Sequence, residues 1–270
     1  MRSRILGAEY ITGQINYMLN TNNHPFFEGY NFLGFVHRGG AEEATENTLE
    51  AFQHASDIGF VFMETDVQAT LDGEVVIFHD SNLERVAGIN KKVSQLSYKE
   101  IKKIDLKRGG RIPSLRDLIS SFPNLRFNID IKTKKAVEKT VQIIKDQKAF
   151  ERVCLASFSS KRLVRIRKLA GPDCCTSMSQ LEVIFLLMRS YGIPVQKSTG
   201  YCAQVPTSQW GIPIITRKFV DYAHKENKFV HVWTIDKRQE MENLIELGVD
   251  GLMTDRPSIL FKVMKEKNLI

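Results

Sequence analysis

Long apolar runs are missing from this chain of 270 residues; the densest, Val183 to Met188, is six residues long. A membrane-spanning helix needs about 20, so an integral membrane protein is excluded. An export signal is not expected either. The opening MRSRILGAEY carries two arginines, but Gly7, Glu9, Thr12, Gln14 and Asn16 stand where an apolar signal core and a small-residue cleavage site would be required. Cysteine is scarce: Cys154, Cys174, Cys175 and Cys202 form no CxxC pair and are too few for a disulfide scaffold. Buried thiols in a reducing cytoplasm are the expectation. Zinc-finger and RNA-binding motifs are absent and the basic residues are dispersed, so nucleic acid is not an expected partner.

What remains is ordinary for a globular protein, with 43% hydrophobic and 26% charged residues. The length permits one large α/β domain or two small ones. Lysine plus arginine number 38 against 31 aspartates and glutamates, a formal net charge of +7. That balance favours anionic partners, a phosphate ester or a lipid surface among them.

From residue 32 onward short β-rich runs alternate with amphipathic helical stretches. Strands are expected at Phe32–Val36, Phe60–Asp66, Arg126–Ile131, Val153–Ser157, Cys174–Ser177, Tyr201–Val205, Phe229–Thr234 and Gly251–Thr254. Val67–His79 reads as a ribbon reversing at Asp72-Gly73. Asn47 with Glu50, and Asp236 with Gln239, have capping-box spacing at two helix starts, which Gly59 and Gly248 close. The helix around Lys161–Ala170 turns Leu163, Ile166 and Ala170 to one face and reads as a solvated outer helix, with a membrane-surface helix as the other reading. Eight alternations predict an α/β fold of the (β/α)8 TIM-barrel type; counting alone leaves an open doubly wound sheet available. Residues 1–30 fall outside the pattern as an N-terminal arm, loosely packed at Asn20–His24. Residues 31–270 form the barrel domain, interrupted at about 81–112 by a polar, lysine-rich insertion.

In such a barrel, chemistry gathers at the carboxyl ends of the strands. His37-Arg38-Gly39-Gly40, Glu64 with Asp66, His79-Asp80, and Asp130 with Lys132 all occupy such ends. Residues two apart on a strand face the same way. Glu64, Asp66 and Asp130 therefore offer three oxygen donors to one hard divalent cation, Mg²⁺ or Ca²⁺. With that ion, Arg38 and Lys132 the cluster sums to about +1, which suits a singly charged phosphodiester. Each carboxylate alone could be a salt-bridged rim residue, Gly39-Gly40 a mere turn and Asn47 a helix cap. Two histidines beside three acids point instead to an acid/base pair.

These residues resemble the glycerophosphodiester phosphodiesterase family: HRG at His37–Gly39, ENTLEAF at Glu46–Phe52, ETDVQATLDGEVVIFHD at Glu64–Asp80, NIDIK at Asn128–Lys132, VWTID at Val232–Asp236 and GVDGLMTDRP at Gly248–Pro257. The resemblance covers about residues 32–260. It implies a barrel with a small insertion, a divalent metal, and hydrolysis of diesters such as glycerophosphocholine or glycerophosphoethanolamine to glycerol 3-phosphate and an alcohol. Carried over by position, His37 and His79 are the acid/base pair, Glu64, Asp66 and Asp130 the metal ligands, and Arg38 and Lys132 the phosphate contacts. Trp233, at a late strand end, reads either as a residue that packs on the glycerol carbons or as a core aromatic. Thr45 stands where the family has proline, and Asp130 where it often has glutamate. Alternatives are a lysophospholipase D acting on lipid diesters, encouraged by the basic charge and by Phe26, Phe27, Phe32 and Phe35, although core packing explains most such aromatics, and a non-catalytic barrel that binds phosphorylated ligands or membrane surfaces. Peripheral membrane contact is compatible with any of these.

Overall fold

The computed structural model describes residues 24–270. In chain order the elements are β1 (Leu33–His37), α1 (Leu49–Ile58), β2 (Phe62–Ala69), β3 (Val75–Ile77), α2 (Glu84–Ala87), α3 (Tyr98–Ile101), α4 (Leu115–Ser121), β4 (Arg126–Ile131), α5 (Val137–Asp146), β5 (Val153–Ala156) and α6 (Ser160–Ala170). They continue with β6 (Cys175–Thr176), α7 (Gln180–Ser190), β7 (Cys202–Val205), β8 (Ser208–Gln209), β9 (Ile212–Pro213), α8 (Arg217–Lys225), β10 (Phe229–Val232), α9 (Arg238–Glu246), β11 (Gly251–Thr254) and α10 (Pro257–Glu266).

Parallel pairing runs β6-β5-β4-β2-β1-β11-β10-β7. The seam between β6 and β7 is bridged at Ser177 and Cys202, with Tyr201 N donating to Thr176 O at 2.9 Å and Met178 N to Cys202 O at 2.8 Å. Neighbours in sequence are thus neighbours round the ring, which is the (β/α)8 barrel and not the open sheet. The period of two along each strand sorts side chains between two cores. Val36, Met63, Phe127, Ile129, Leu155, Val230 and Leu252 belong to the outer core shared with the helices. Leu33, Phe35, Phe62, Cys154, Cys175, Cys202 and Met253 fill the interior.

Four local expectations are corrected. The second strand does not stop at Asp66 but runs on to Ala69, pairing antiparallel with β3 so that the ribbon is an extension of a barrel strand. Asn47 is not the helix cap: Thr48 is, its hydroxyl accepting from Ala51 N. Asp236 does not cap α9; its carboxylate accepts instead from Thr254 Oγ1 at 2.9 Å and Asp255 N at 2.8 Å. In both cases a tertiary partner outcompetes the local cap. His24, placed in the loose arm, is buried; the rest of Asn20–His24 lies outside the described residues.

The segment around His24 closes the amino-terminal mouth. His24 Nε2 donates to Asp173 O at 2.9 Å while its Nδ1 accepts from Phe26 N at 3.0 Å. Arg126 then holds the carbonyls of Phe26 and Glu28 at 2.9 and 2.8 Å. Phe26 and Phe27 enter the interior core, Phe27 stacking on Phe229 at 4.2 Å. Within 81–112, α2, α3 and their connections bury Leu83, Val93, Leu96, Ile101, Leu106 and Ile112 against Val76 and Phe78, a small core beside the ribbon. On α6, Leu163 and Ile166 are buried, as an outer helix requires. Phe26→Ala is expected to cost about 3–5 kcal/mol, lowering the thermal midpoint by roughly 10 °C in a calorimetric scan; an unchanged midpoint would mean the plug adds nothing to the barrel.

Candidate active site

The residues singled out from the sequence meet at the carboxyl mouth. His37, Arg38, Glu64, Asp66, His79, Asp130, Lys132 and Trp233 all line one cavity of about 490 Å³. Strand register explains the convergence: His37 is level with Glu64 across β1 and β2, and Asp66 with Asp130 across β2 and β4. Past β1, Arg38, Gly39 and Gly40 take φ of 53°, 81° and 89°. This left-handed turn suits glycine and has a second requirement for it. A Cβ on Gly39 would lie 2.6 Å from that of Ala51, and one on Gly40 2.9 Å from the Pro257 ring.

The turn brings Arg38 Nε to 3.1 Å from Asp66 Oδ2. Lys132 Nζ bridges Asp66 Oδ1 at 2.8 Å and Asp130 Oδ2 at 2.7 Å. Burial opposes ionisation of Asp66, but these two cations outweigh it and hold its carboxyl below the ordinary range. Burial raises Asp130 despite Lys132. Glu64 is pushed up to about 8, by burial first and by the Asp66 charge second. Its Oε2, like Asp130 Oδ1, is buried without a hydrogen bond. Bare buried carboxylate oxygens are an invitation to a proton or a cation. As the side chains stand, among the described residues no three acid, histidine or cysteine side chains form a ready ion cage, because the Lys132 ammonium occupies the gap between Asp66 and Asp130. Arg38 and Lys132, expected on phosphate, face carboxylates here.

Each histidine is oriented by an acid. His37 Nδ1 donates to Asp255 Oδ1 at 2.8 Å, leaving Nε2 on the side of Glu64 Oε2, 3.7 Å away. Burial disfavours its imidazolium, but Asp255 and Glu64 more than offset that and raise its pKa. His79 Nδ1 donates to Asp80 Oδ1 at 2.6 Å. Asp80 in turn accepts from Arg85 Nε at 2.6 Å, and the rest of that guanidinium grips Glu46 at 2.6 and 2.8 Å. Glu46 also pairs with Arg38 at 3.3 Å. Asn47, held at φ 58°, donates to Asp66 Oδ2 at 3.3 Å and accepts from Thr65 Oγ1 at 2.8 Å. Thr45, in the proline position, donates to Arg108 O at 2.8 Å and so ties the loop to the insertion. Sequence reasoning gave no role to Asp255, Glu46, Asp80 or Arg85. Asp255 follows β11 as Glu64 and Asp130 belong to their strand ends, so the same rule would have found it. Arg85 lies in the insertion, where no strand-end rule applies.

The cavity has a second character. Phe158, Val183, Ile184, Leu187, Trp210, Ile212 and Ile214 line it as well, and Trp233 meets Phe158 edge-on at 5.8 Å.

The profile of the Glycerophosphoryl diester phosphodiesterase family matches residues 37–259. The chain belongs to that family. As a member of it, the chain is a phosphodiester-hydrolysing enzyme. A probable glycerophosphodiester phosphodiesterase 2 of Mycobacterium tuberculosis is 35% identical over 239 residues, covering 86% of this chain and 90% of the relative. A human protein named lysophospholipase D is 30% identical, with 83% of each chain covered. Among solved structures, a putative glycerophosphoryl diester phosphodiesterase from Silicibacter pomeroyi superposes with a TM-score of 0.77 at 19% identity, over 91% of this chain and 99% of that one. An Oleispira antarctica phosphodiesterase solved with its product sn-glycerol-3-phosphate gives 0.71 at 20%, over 86% and 96%. At those identities the superpositions speak for the barrel, and the sequence relatives for the family.

Removing the carboxylate that orients a working imidazole typically costs 10- to 100-fold. Asp255→Asn is expected to lower diester turnover by about that factor with an unchanged thermal midpoint; full turnover would show that the His37 ring needs no anchor.

Proposed function

We propose that the protein hydrolyses glycerophosphodiesters to glycerol 3-phosphate and an alcohol, with a divalent cation held by Glu64, Asp66 and Asp130 and with His37 and His79 as the acid/base pair. The observation that carries this reading is the meeting of both histidines, all three acids and both cations round one cavity. The bare oxygens of Glu64 and Asp130 support the ion, since a hard cation is bound by such donors. Once bound, the ion would supply Lewis-acid polarisation of a phosphoryl oxygen.

The chain's own groups do the rest. Arg38 and Lys132 set positive charge beside the phosphoryl group as negative charge builds on it. The proposed route begins with attack on phosphorus by the glycerol hydroxyl next to the ester. One imidazole takes the hydroxyl proton, the other protonates the departing alcohol oxygen, and the P–O bond to that alcohol breaks as the ring closes. Water then opens the cyclic phosphate while the imidazoles exchange roles. With Nδ1–H committed to Asp255 or Asp80, each ring presents Nε2 for this traffic. Trp233 is positioned to pack on the glycerol carbons. A cytoplasmic setting belongs to the same reading and is supported by four buried, unpaired thiols; no described helix is long and apolar enough to cross a membrane.

A second reading, lysophospholipase D activity, is favoured by the apolar upper wall rather than by Phe26, Phe27, Phe32 and Phe35. Those four are buried core residues, and Phe26 and Phe27 plug the opposite mouth. A single acyl chain fits the chemistry of Phe158, Ile184, Leu187 and Ile212. Comparing glycerophosphocholine with lysophosphatidylcholine separates the two: faster release of choline from the lipid would make the second reading the primary one. Binding with no alcohol released from either would leave only a non-catalytic barrel.

His37→Ala and His79→Ala are each expected to lower kcat by about 10²- to 10⁴-fold with the fold intact, measured by coupling glycerol 3-phosphate release to its dehydrogenase. Chelation should silence the enzyme until Mg²⁺ or Ca²⁺ is restored; full activity after thorough metal removal would reject the ion. An analogue without the neighbouring hydroxyl should bind yet resist cleavage, and its rapid turnover would favour direct attack by water.

A further inference from the structure

The rim of the cavity divides into two chemically different halves. Around the ends of β1, β2 and β11 it is acidic and internally paired: Glu42 with Arg256, Glu46 and Asp80 with Arg85, Asp255 with His37. Around the ends of β4 to β7 and β10 it is apolar at the centre and cationic at the flanks, with Glu182 paired to Arg167 and Asp236 bonded to Thr254 and Asp255 N. No acidic residue occurs in 131–137, 157–172 or 205–220. Lys134, Lys135, Lys161 and Lys237, each a few residues past a strand end, are exposed, and none has an acidic partner among the described residues.

The centre of this half is a hairpin. Ser208 and Gln209 pair with Pro213 and Ile212, leaving Trp210-Gly211 as a two-residue turn with φ of 49° and 77°. A turn with both central residues left-handed calls for Asn-Gly or Gly-Gly, and a bulky residue there is disfavoured. Here tryptophan occupies the tip and is 82% exposed, beside Ile212 at 60% and Phe158 at 53%. Leu181 and Ile184, from the first two turns of α7, are exposed as well. Most of the Trp210 indole lies in solvent, and its remaining contacts are at the cavity. A tryptophan-led apolar wedge fringed by free lysines has the composition of a surface that rests on anionic lipid.

We infer that the β8–β9 hairpin, with Leu181, Ile184 and Phe158, is an interfacial docking face that seats the mouth of the cavity on an anionic lipid bilayer. Trp210 and Ile212 enter the headgroup boundary, and Lys134, Lys135, Lys161 and Lys237 meet the lipid charge. The inference goes beyond the diesterase reading and does not depend on which diester is cleaved.

The test uses the full chain and vesicles of equal parts phosphatidylglycerol and phosphatidylcholine at low salt. The protein is expected to sediment with them and its emission to shift to the blue; its two tryptophans are Trp210 and Trp233, and both line the cavity. Trp210→Asn, which suits the left-handed turn, should keep the thermal midpoint, abolish the shift and weaken partitioning about tenfold, as expected for withdrawing one large apolar side chain. Lys134→Gln with Lys135→Gln gives an independent measure and should weaken partitioning about fivefold per lysine. Absence of sedimentation, undiminished binding by Trp210→Asn, or equal binding to pure phosphatidylcholine would overturn the inference. So would a solution dimer that Trp210→Asn dissociates, since a second copy would then be what covers the face. Sedimentation requires no turnover, so a protein that binds vesicles but cleaves no diester would sink the catalytic reading alone.

Discussion

Charge balance in a closed space governs this molecule. Glu64, Asp66 and Asp130 are buried together at one mouth of the barrel, and Arg38 and Lys132 supply two of the three positive charges they need. The deficit falls on Glu64, whose carboxyl is pushed up to about 8 by burial and by the Asp66 charge. A divalent cation would discharge the Glu64 proton and turn the cluster from neutral to singly positive, the complement of a monoanionic diester. The remaining features of the mouth read as supports for this arrangement. The glycine turn delivers Arg38, Asn47 steadies Asp66, and Asp255 and Asp80 hold the imidazoles.

Much of this was legible in the sequence because a barrel turns linear order into circular order. Eight strand ends, each marked by β-rich residues giving way to polar ones, had to face one side, and the period of two fixed which side chains looked inward. Residues such as Glu64 and Asp130 could therefore be placed together although they are far apart in the chain. What failed was local. Asn47 and Asp236 had cap spacing, yet each carboxylate or amide found a stronger use across the fold, on Asp66 and on the backbone of Asp255. Arg85 was hidden because its partners are joined to it only by the folding of the insertion onto the loop after β1.

The insertion thus touches the groups around the cavity without lining it. One guanidinium links Glu46, and through it Arg38, to Asp80, and through it His79. Thr45, the residue that departs from the family pattern, adds a second tie to the insertion at Arg108. A loop that proline would have stiffened from within is here braced from outside.

The aromatic plug at the amino-terminal mouth has a consequence for traffic. With Phe26 and Phe27 filling the lower end, the cavity is a blind alley. Reactant and spent fragments share one doorway, so each turnover must be emptied before the next begins. A fragment that lingers at the floor would then bar the way to whatever waits outside.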